Sequence, residues 1–377
     1  METGSSAANA WDDSELVAAL SAHRLRLGER TALFCARRQQ LYELNETADA
    51  IWLALLAQGT PAAAAKALAR GDDYPQLLDV VRETSAEWMR QGQFVPAEVV
   101  ELARRPDAEL HLELDELRVR LQVCGKADAE AIGKVFGQFR SAPDAGAPSI
   151  SAIGAHGLVF LFEDQQPLGA FDERRWIPEL KALITERYSR AVRESFLAHG
   201  ALLSLDGRAV LLCGDPGAGK TTLTVALTDA GFRYHADDIV RIDEAGRATG
   251  VPFSPALKSG SWPLLSGLVA GLDELPVYLR SDGQEVRYLP VAASAREVLP
   301  LAAILLLARS SDAKAVIEPV EPLEALTTIL ASAFSARGAI EAPTLKALAG
   351  AVDAARTGRL SYSRLDEAVS AIEAFLA

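Results

Sequence analysis

Gly214-Asp215-Pro216-Gly217-Ala218-Gly219-Lys220-Thr221 holds a glycine, four intervening residues and then Gly-Lys-Thr. That is the spacing of a loop whose backbone N–H groups, with the helix N-terminus that follows, cradle phosphate oxygens. Each residue type has a task there: the glycines let the backbone approach the phosphates, Lys220 sets a cation on the β and γ groups, and the Thr221 hydroxyl is a ligand for Mg²⁺. Residues Gly214 to Thr222 are therefore the nucleotide-contacting candidates, with ATP and Mg²⁺ as the cofactors. Shortly after come two adjacent carboxylates, Asp237 and Asp238. Beside a triphosphate one carboxylate can hold Mg²⁺ and another can accept the proton of an attacking hydroxyl. On an extended backbone neighbours point to opposite faces, so both duties stay open to either residue. His199, just upstream, is a third catalytic candidate beside Lys220, although a lone histidine is more often structural. Lys258 either touches phosphate or solvates a loop.

These residues need elements to hold them. Ala201 to Leu205 and Ala209 to Cys213 read as two strands around the turn Asp206-Gly207, a hairpin whose second strand enters the phosphate loop. Thr222 to Leu227 leaves it with helical apolar spacing, Ala230-Gly231 stops that helix, and Phe232 to Ala236 is a short strand delivering the aspartates. Upstream, Ile177 to Phe196 reads as a helix. Downstream, strands are expected near Val277 to Leu279, Glu285 to Leu289 and Ala303 to Leu307, and helices over Leu323 to Ser335, Pro343 to Ala355 and Leu365 to Phe375.

The first hundred residues have a different texture. Thr31 to Ala36 and Gln40 to Leu44 read as strands with a turn at Arg37 to Gln39, and Asn45 caps a helix carrying Ala48, Ile51, Trp52, Leu55 and Leu56 until Gly59. Two more helices, near Ala62 to Arg70 and Leu77 to Gln91, close the unit. The charged stretch Glu98 to Glu109 is the expected boundary. The expected division is a tail at 1–12, a small domain at 13–96, a linker at 97–109, an α/β connecting region at 110–194 and the phosphate-loop domain at 195–377.

The chain has 377 residues, 49% apolar and 24% charged, with a formal net charge of -13. That supports two or three packed domains and argues against nucleic acid or an anionic membrane as partner, since both attract clustered cations. Cys35, Cys124 and Cys213 share no metal-ligand spacing, and an odd number of thiols suits the cytoplasm. No apolar run reaches the roughly 18 residues that cross a bilayer.

His199-Gly200, Gly207 to Gly214, the loop through Thr221, and Phe232-Arg233-Tyr234-His235-Ala236-Asp237-Asp238 together resemble the HPr kinase/phosphorylase family, over roughly residues 190 to 310. The resemblance implies a P-loop kinase domain of mixed sheet and helices. ATP and Mg²⁺ would sit at the loop, His199, Asp237 and Asp238 would surround the transferred phosphate, and a seryl hydroxyl of a protein would be the acceptor. Relatives commonly form hexamers, so a homo-oligomer is implied, although no residue here encodes assembly. The family's Arg-Gly-Leu-Gly type signature is absent, with Val251 to Lys258 in its place, which argues against phosphorolysis and against HPr as substrate. Leu41 to Trp52 and Trp88 to Val95 are similar to the PqqD-like fold, a winged-helix-like α+β domain whose relatives bind leader peptides by strand addition.

The expected molecule is thus an α/β protein: a kinase domain of HPr-kinase type, preceded by an α/β connecting region and a PqqD-like peptide-recognition domain. Its expected activity is transfer of the γ-phosphoryl group to a Ser or Thr hydroxyl of a peptide or protein, a docked precursor peptide among the candidates. The rival readings are a metabolite kinase and a non-catalytic nucleotide-gated peptide binder.

Overall fold

Alternation of side chains along the strands decides how the layers stack. In the computed structural model, which describes residues 11, 13–36, 39–192, 195–291, 294–310, 312, 314–333 and 340–377, the chain divides into two units. One comprises residues 1–113, 118–131 and 141–180, the other residues 114–117, 132–140 and 181–377. Of the tail expected at 1–12, residues 1–10 and 12 lie outside the described residues, as do the Arg37-Arg38 part of the expected turn and Ser335, whereas Trp11 is buried in the core of the first unit.

In the first unit Ala22–Leu27, Arg30–Cys35 and Gln40–Leu44 form an antiparallel three-stranded sheet with Arg30–Cys35 at its centre. The Asn45 side chain caps Glu46–Gln58 by accepting from Ala48 N at 2.8 Å, and Gly59, at φ 81°, ends it. Helices Pro61–Leu68 and Tyr74–Arg90 follow. Ile51, Trp52, Leu55, Trp88 and Phe94 are buried together, with the Trp52 and Trp88 rings edge-on at 5.2 Å. These aromatics are core. Residues read from the sequence as linker include a helix, Ala97–Ala103, that buries Val99.

A five-stranded sheet completes this unit, in the order Gln166–Phe171, Leu158–Glu163, Ser149–Ala155, Leu117–Gly125, Ala108–Leu114. Its Cys124, Ile153, Phe160, Phe162 and Ala170 join Trp52 and Trp88 in one apolar core. Gly92 shows how close the layers come, because a Cβ there would lie 2.6 Å from Leu168 O. Residues 13–96 therefore do not bury their apolar surface alone.

The second unit is a three-layer α/β arrangement. Its long central strand, Leu299–Arg309, runs parallel to Arg208–Cys213 on one side and to Arg356–Tyr362 on the other. Ala201–Leu205 and Arg233–Ala236 extend the sheet beyond Arg208–Cys213; Arg247–Val251, Ile239–Ile242 and Phe196–His199 extend it antiparallel from the start of the central strand. Leu211, Ile304 and Leu306 face helices Pro322–Ala331 and Ala342–Ala354, packing with Ile329, Leu348 and Val352. The alternate residues Leu212, Leu305 and Leu307 face Lys220–Asp229 and Leu365–Leu376, packing with Leu223, Leu227 and Ile372. Strand residues are buried on both faces, which is why they read as continuous apolar runs. A small antiparallel sheet, Ala256–Lys258, Glu285–Tyr288 and Tyr278–Leu279, belongs to an insertion whose Leu257, Leu265 and Leu272 pack on Val225 of the loop helix.

Candidate active site

The expected hairpin positions the phosphate loop. Ala201–Leu205 pairs antiparallel with Arg208–Cys213, turning through Asp206 and Gly207 at φ 49° and 78°. Two successive positive φ values match the twist of the flanking strands. Cys213 ends the strand, the loop follows, and Lys220–Asp229 begins the helix. Gly217 and Gly219 both have φ 92°, a conformation that favours glycine. At Gly219 space matters too: a Cβ there would sit 2.7 Å from Tyr362 Oη. Lys220 is buried, its ammonium donating to Gly214 O at 2.6 Å. Burial lowers its pKa while the charges of Asp237, Asp238 and Asp215 oppose that shift. The cation is thus within electrostatic reach of both aspartates.

Strand pairing brings the other candidates to the same place. Arg233–Ala236 pairs with the hairpin through Leu202↔Ala236, and His199 lies opposite Ile239. Gly200 N donates to Asp238 O at 3.3 Å, which ties the His199 corner to the aspartate pair. His199 Nδ1 is 3.1 Å from Asp238 Oδ1, and Lys181 Nζ is 2.6 Å from Asp238 Oδ2. Lys181 is 12% exposed and also lies 5.0 Å from the centroid of the Phe253 ring.

The two aspartates occupy different environments. Asp237 is 7% exposed and its Oδ1 has no hydrogen-bond partner among the described residues. Burial, then the negative charge of Asp238, push its pKa up to about 7, against the pull of the Thr221 hydroxyl, Lys181 and the Thr224 hydroxyl. Asp238 has a side chain 28% exposed. Burial alone would raise its pKa too, but the Lys181 charge and the His199 contact outweigh that and hold it well below the usual carboxylate range. The pair shares one field and behaves as a coupled unit.

No protein-family model matches the chain. Over 80 residues it is 35% identical to the HPr kinase/phosphorylase of Lacticaseibacillus casei (strain BL23), which covers 21% of this chain and 25% of that protein. The HPr kinase/phosphorylase of Lactobacillus delbrueckii subsp. bulgaricus is 33% identical over 78 residues, with the same coverage of 21% and 25%. The chain thus spans about a quarter of the length of the curated relatives it matches. Among solved structures, the Hpr(Ser) kinase/phosphatase from Coxiella burnetii aligns with 48% of this chain and 95% of its own, at 11% identity and a TM-score of 0.23. The relation is distant homology to HPr kinase/phosphorylase over a fifth of the chain.

The donor set fits Mg²⁺. Among the described residues, Asp237 Oδ1 and Thr224 Oγ1 are both buried without a hydrogen-bond partner, and the Thr221 hydroxyl lies near the same carboxylate. Among the described residues no group of three or more His, Cys, Asp or Glu side chains gathers to hold a metal. Mg²⁺ at a triphosphate does not need one, because phosphates and water supply most of its six ligands. Among the described residues no helix is long and apolar enough to cross a membrane.

Lys258 ends the strand Ala256–Lys258, where its carbonyl accepts from Ser261 Oγ at 2.7 Å. Lys181 escaped the sequence reading. Its only signal was a lysine in an amphipathic helix, Trp176–Ala191, and such a residue reads as part of a solvated face.

Proposed function

We propose that this protein is an ATP- and Mg²⁺-dependent phosphotransferase that carries the γ-phosphoryl group to a Ser or Thr hydroxyl of a peptide or protein. The observation that carries this reading is the contrast between the two aspartates. Asp237, buried with an unsatisfied oxygen beside Thr221, has the surroundings of a metal ligand. Asp238, partly exposed and gripped from two sides by His199 and Lys181, has those of an ionised group presented to an acceptor.

In this reading Gly214 to Thr222 bind the phosphates, and Lys220 leaves its contact with Gly214 O to meet the β and γ groups. Thr221 and Asp237 would hold Mg²⁺, which would neutralise charge on the phosphate oxygens. Asp238 accepts the proton of the acceptor hydroxyl as its oxygen bonds to the γ phosphorus and the bond to the β–γ bridging oxygen breaks, releasing ADP. His199 keeps the carboxylate turned toward the acceptor. The distant homology to HPr kinase/phosphorylase supports a protein hydroxyl as acceptor. The proposed peptide-docking module is residues 13–96, with Ala22–Leu27 as the receiving edge strand. Leu25 and Leu27 there are exposed apolar side chains, at 39% and 64%, on a strand with one neighbour among the described residues.

The test is phosphoryl transfer from labelled ATP and Mg²⁺ to peptides encoded beside the gene, comparing the intact protein with Lys220→Ala and Asp238→Asn. Labelled peptide, lost in both variants, supports the reading. Nucleotide binding without any labelled peptide excludes that peptide set and turns the search to metabolite acceptors or to a nucleotide-gated binder.

A further inference from the structure

Arg309 ends the central parallel strand, exposed, and its register partner Tyr362 ends the neighbouring parallel strand. Both residues are therefore at the carboxyl ends of parallel strands: that of Arg309 lies beside the strand that enters the phosphate loop, and that of Tyr362 lies on its far side. In open α/β sheets ligands lie outside the carboxyl ends of such strands. The chain keeps the two ends together, with Ser310 N donating to Tyr362 O at 3.0 Å. A Cβ on Gly219 would lie 2.7 Å from Tyr362 Oη and 3.6 Å from Arg309 Cδ. Tyr362 is fully buried. The Gly219 side of the loop is thus closed by the phenol, and the Arg309 side chain runs beside the loop at Gly219. Among the described residues Arg309 makes no ion pair.

We propose that Arg309 is the nucleobase-binding residue, its guanidinium plane stacking on the base of a nucleoside triphosphate over the ends of the strands Leu299–Arg309 and Arg356–Tyr362. The inference rests on the reading of Gly214 to Thr222 as a triphosphate site and adds to it the part of the ligand that the loop does not touch. A planar, delocalised cation on an exposed strand end is suited to stacking on an aromatic face, a task that lysine's point charge performs less well. Every base has such a face, so binding is tolerant of base identity.

Calorimetric titration of the intact protein with ATP and with inorganic tripolyphosphate separates the base contact from the phosphate contacts. Arg309→Ala and Arg309→Lys are expected to weaken ATP binding by about tenfold, the scale of one stacking contact, and to leave tripolyphosphate affinity within about twofold. Equal losses for the two ligands would make Arg309 a phosphate contact and overturn the proposal. So would ATP affinity unchanged in both variants, or wild-type protein that binds ATP no more tightly than tripolyphosphate. Wild-type protein that binds neither ligand would remove the triphosphate site along with its base subsite. Loss of both ligands in Lys220→Ala beside a selective loss in the Arg309 variants would uphold both.

Discussion

Lys181 Nζ stands 2.6 Å from Asp238 Oδ2, while His199 Nδ1 approaches the other oxygen of the same carboxylate at 3.1 Å. Two groups from different elements thus fix one side chain, and a carboxylate so gripped has little freedom to rotate away from an acceptor. Lys181→Met keeps an unbranched side chain of similar length and removes the charge, along with its cation–π contact to Phe253. It is expected to lower the rate of phosphoryl transfer by about 10²-fold, the lower range for positioned acid–base groups. Affinity for ATP should stay within about twofold, and Lys181→Arg should recover part of the rate. Steady-state kinetics with a labelled acceptor, alongside nucleotide titration, checks this; an unchanged kcat in Lys181→Met refutes it.

The contact between Gly219 and Tyr362 makes a prediction about stability. Alanine at 219 must adopt φ 92° and place its methyl 2.7 Å from a fully buried phenol oxygen. Gly219→Ala should cost roughly 1–3 kcal/mol, the range for a strained backbone position, and should weaken nucleotide binding by distorting the loop. Tyr362→Phe removes the clashing oxygen, so the double variant should regain part of the loss. Denaturant midpoints of the four proteins measure the coupling, and strictly additive costs would show that the two residues do not interact.

Much of this site was legible because its signals are local. The loop spacing, the Asp206-Gly207 turn and the aspartate pair lie in one short stretch, and a hairpin needs no distant partner to be recognised. Arg356–Tyr362 was missed: its register is set by Leu299–Arg309, and a short strand containing Gly358 between two strong helices offers little alternation of its own. Phe196–His199 was hidden for a similar reason, since its pairing with Ile239–Ile242 begins at Phe196, where the helix expected from Ile177 ends. Lys181 depends on a contact across 57 positions, and nothing in its neighbours announces that. In the first unit the expected small domain ignored Cys124, Ile153 and Phe160, whose burial against Trp52 and Trp88 is a tertiary fact.

That shared core changes how peptide docking is best tested. Deleting residues 13–96 would strip the five-stranded sheet of its apolar cover and confuse docking with misfolding. Leu25→Asp and Leu27→Asp act instead on exposed positions of the edge strand Ala22–Leu27. Surface substitutions of this kind change stability by about 0.5 kcal/mol or less. The double variant is expected to raise KM for a docked peptide by about tenfold with kcat and ATP affinity unchanged. An unaltered KM in competition with the parent protein would exclude this strand as the receiving edge.

The Asp237 environment gives a pH dependence with a definite sign. Folding raises this carboxyl from 3.8 to about 7, so between those values the folded state binds more protons than the unfolded one. Stability therefore falls as pH rises through the window, by at most about 4 kcal/mol at about 1.4 kcal/mol per unit. Asp237→Asn, neutral at every pH, should flatten that slope and melt higher than the parent at pH 8 in the absence of nucleotide. Mg²⁺ requires the ionised carboxylate and must displace the proton below pH 7, so MgATP affinity should drop by up to about tenfold per unit there. Melting temperatures and MgATP titrations from pH 5 to 8 test the two effects separately. A parent protein that gains stability across that range while Asp237→Asn shows the same gain would mean that Asp237 is ionised in the empty site.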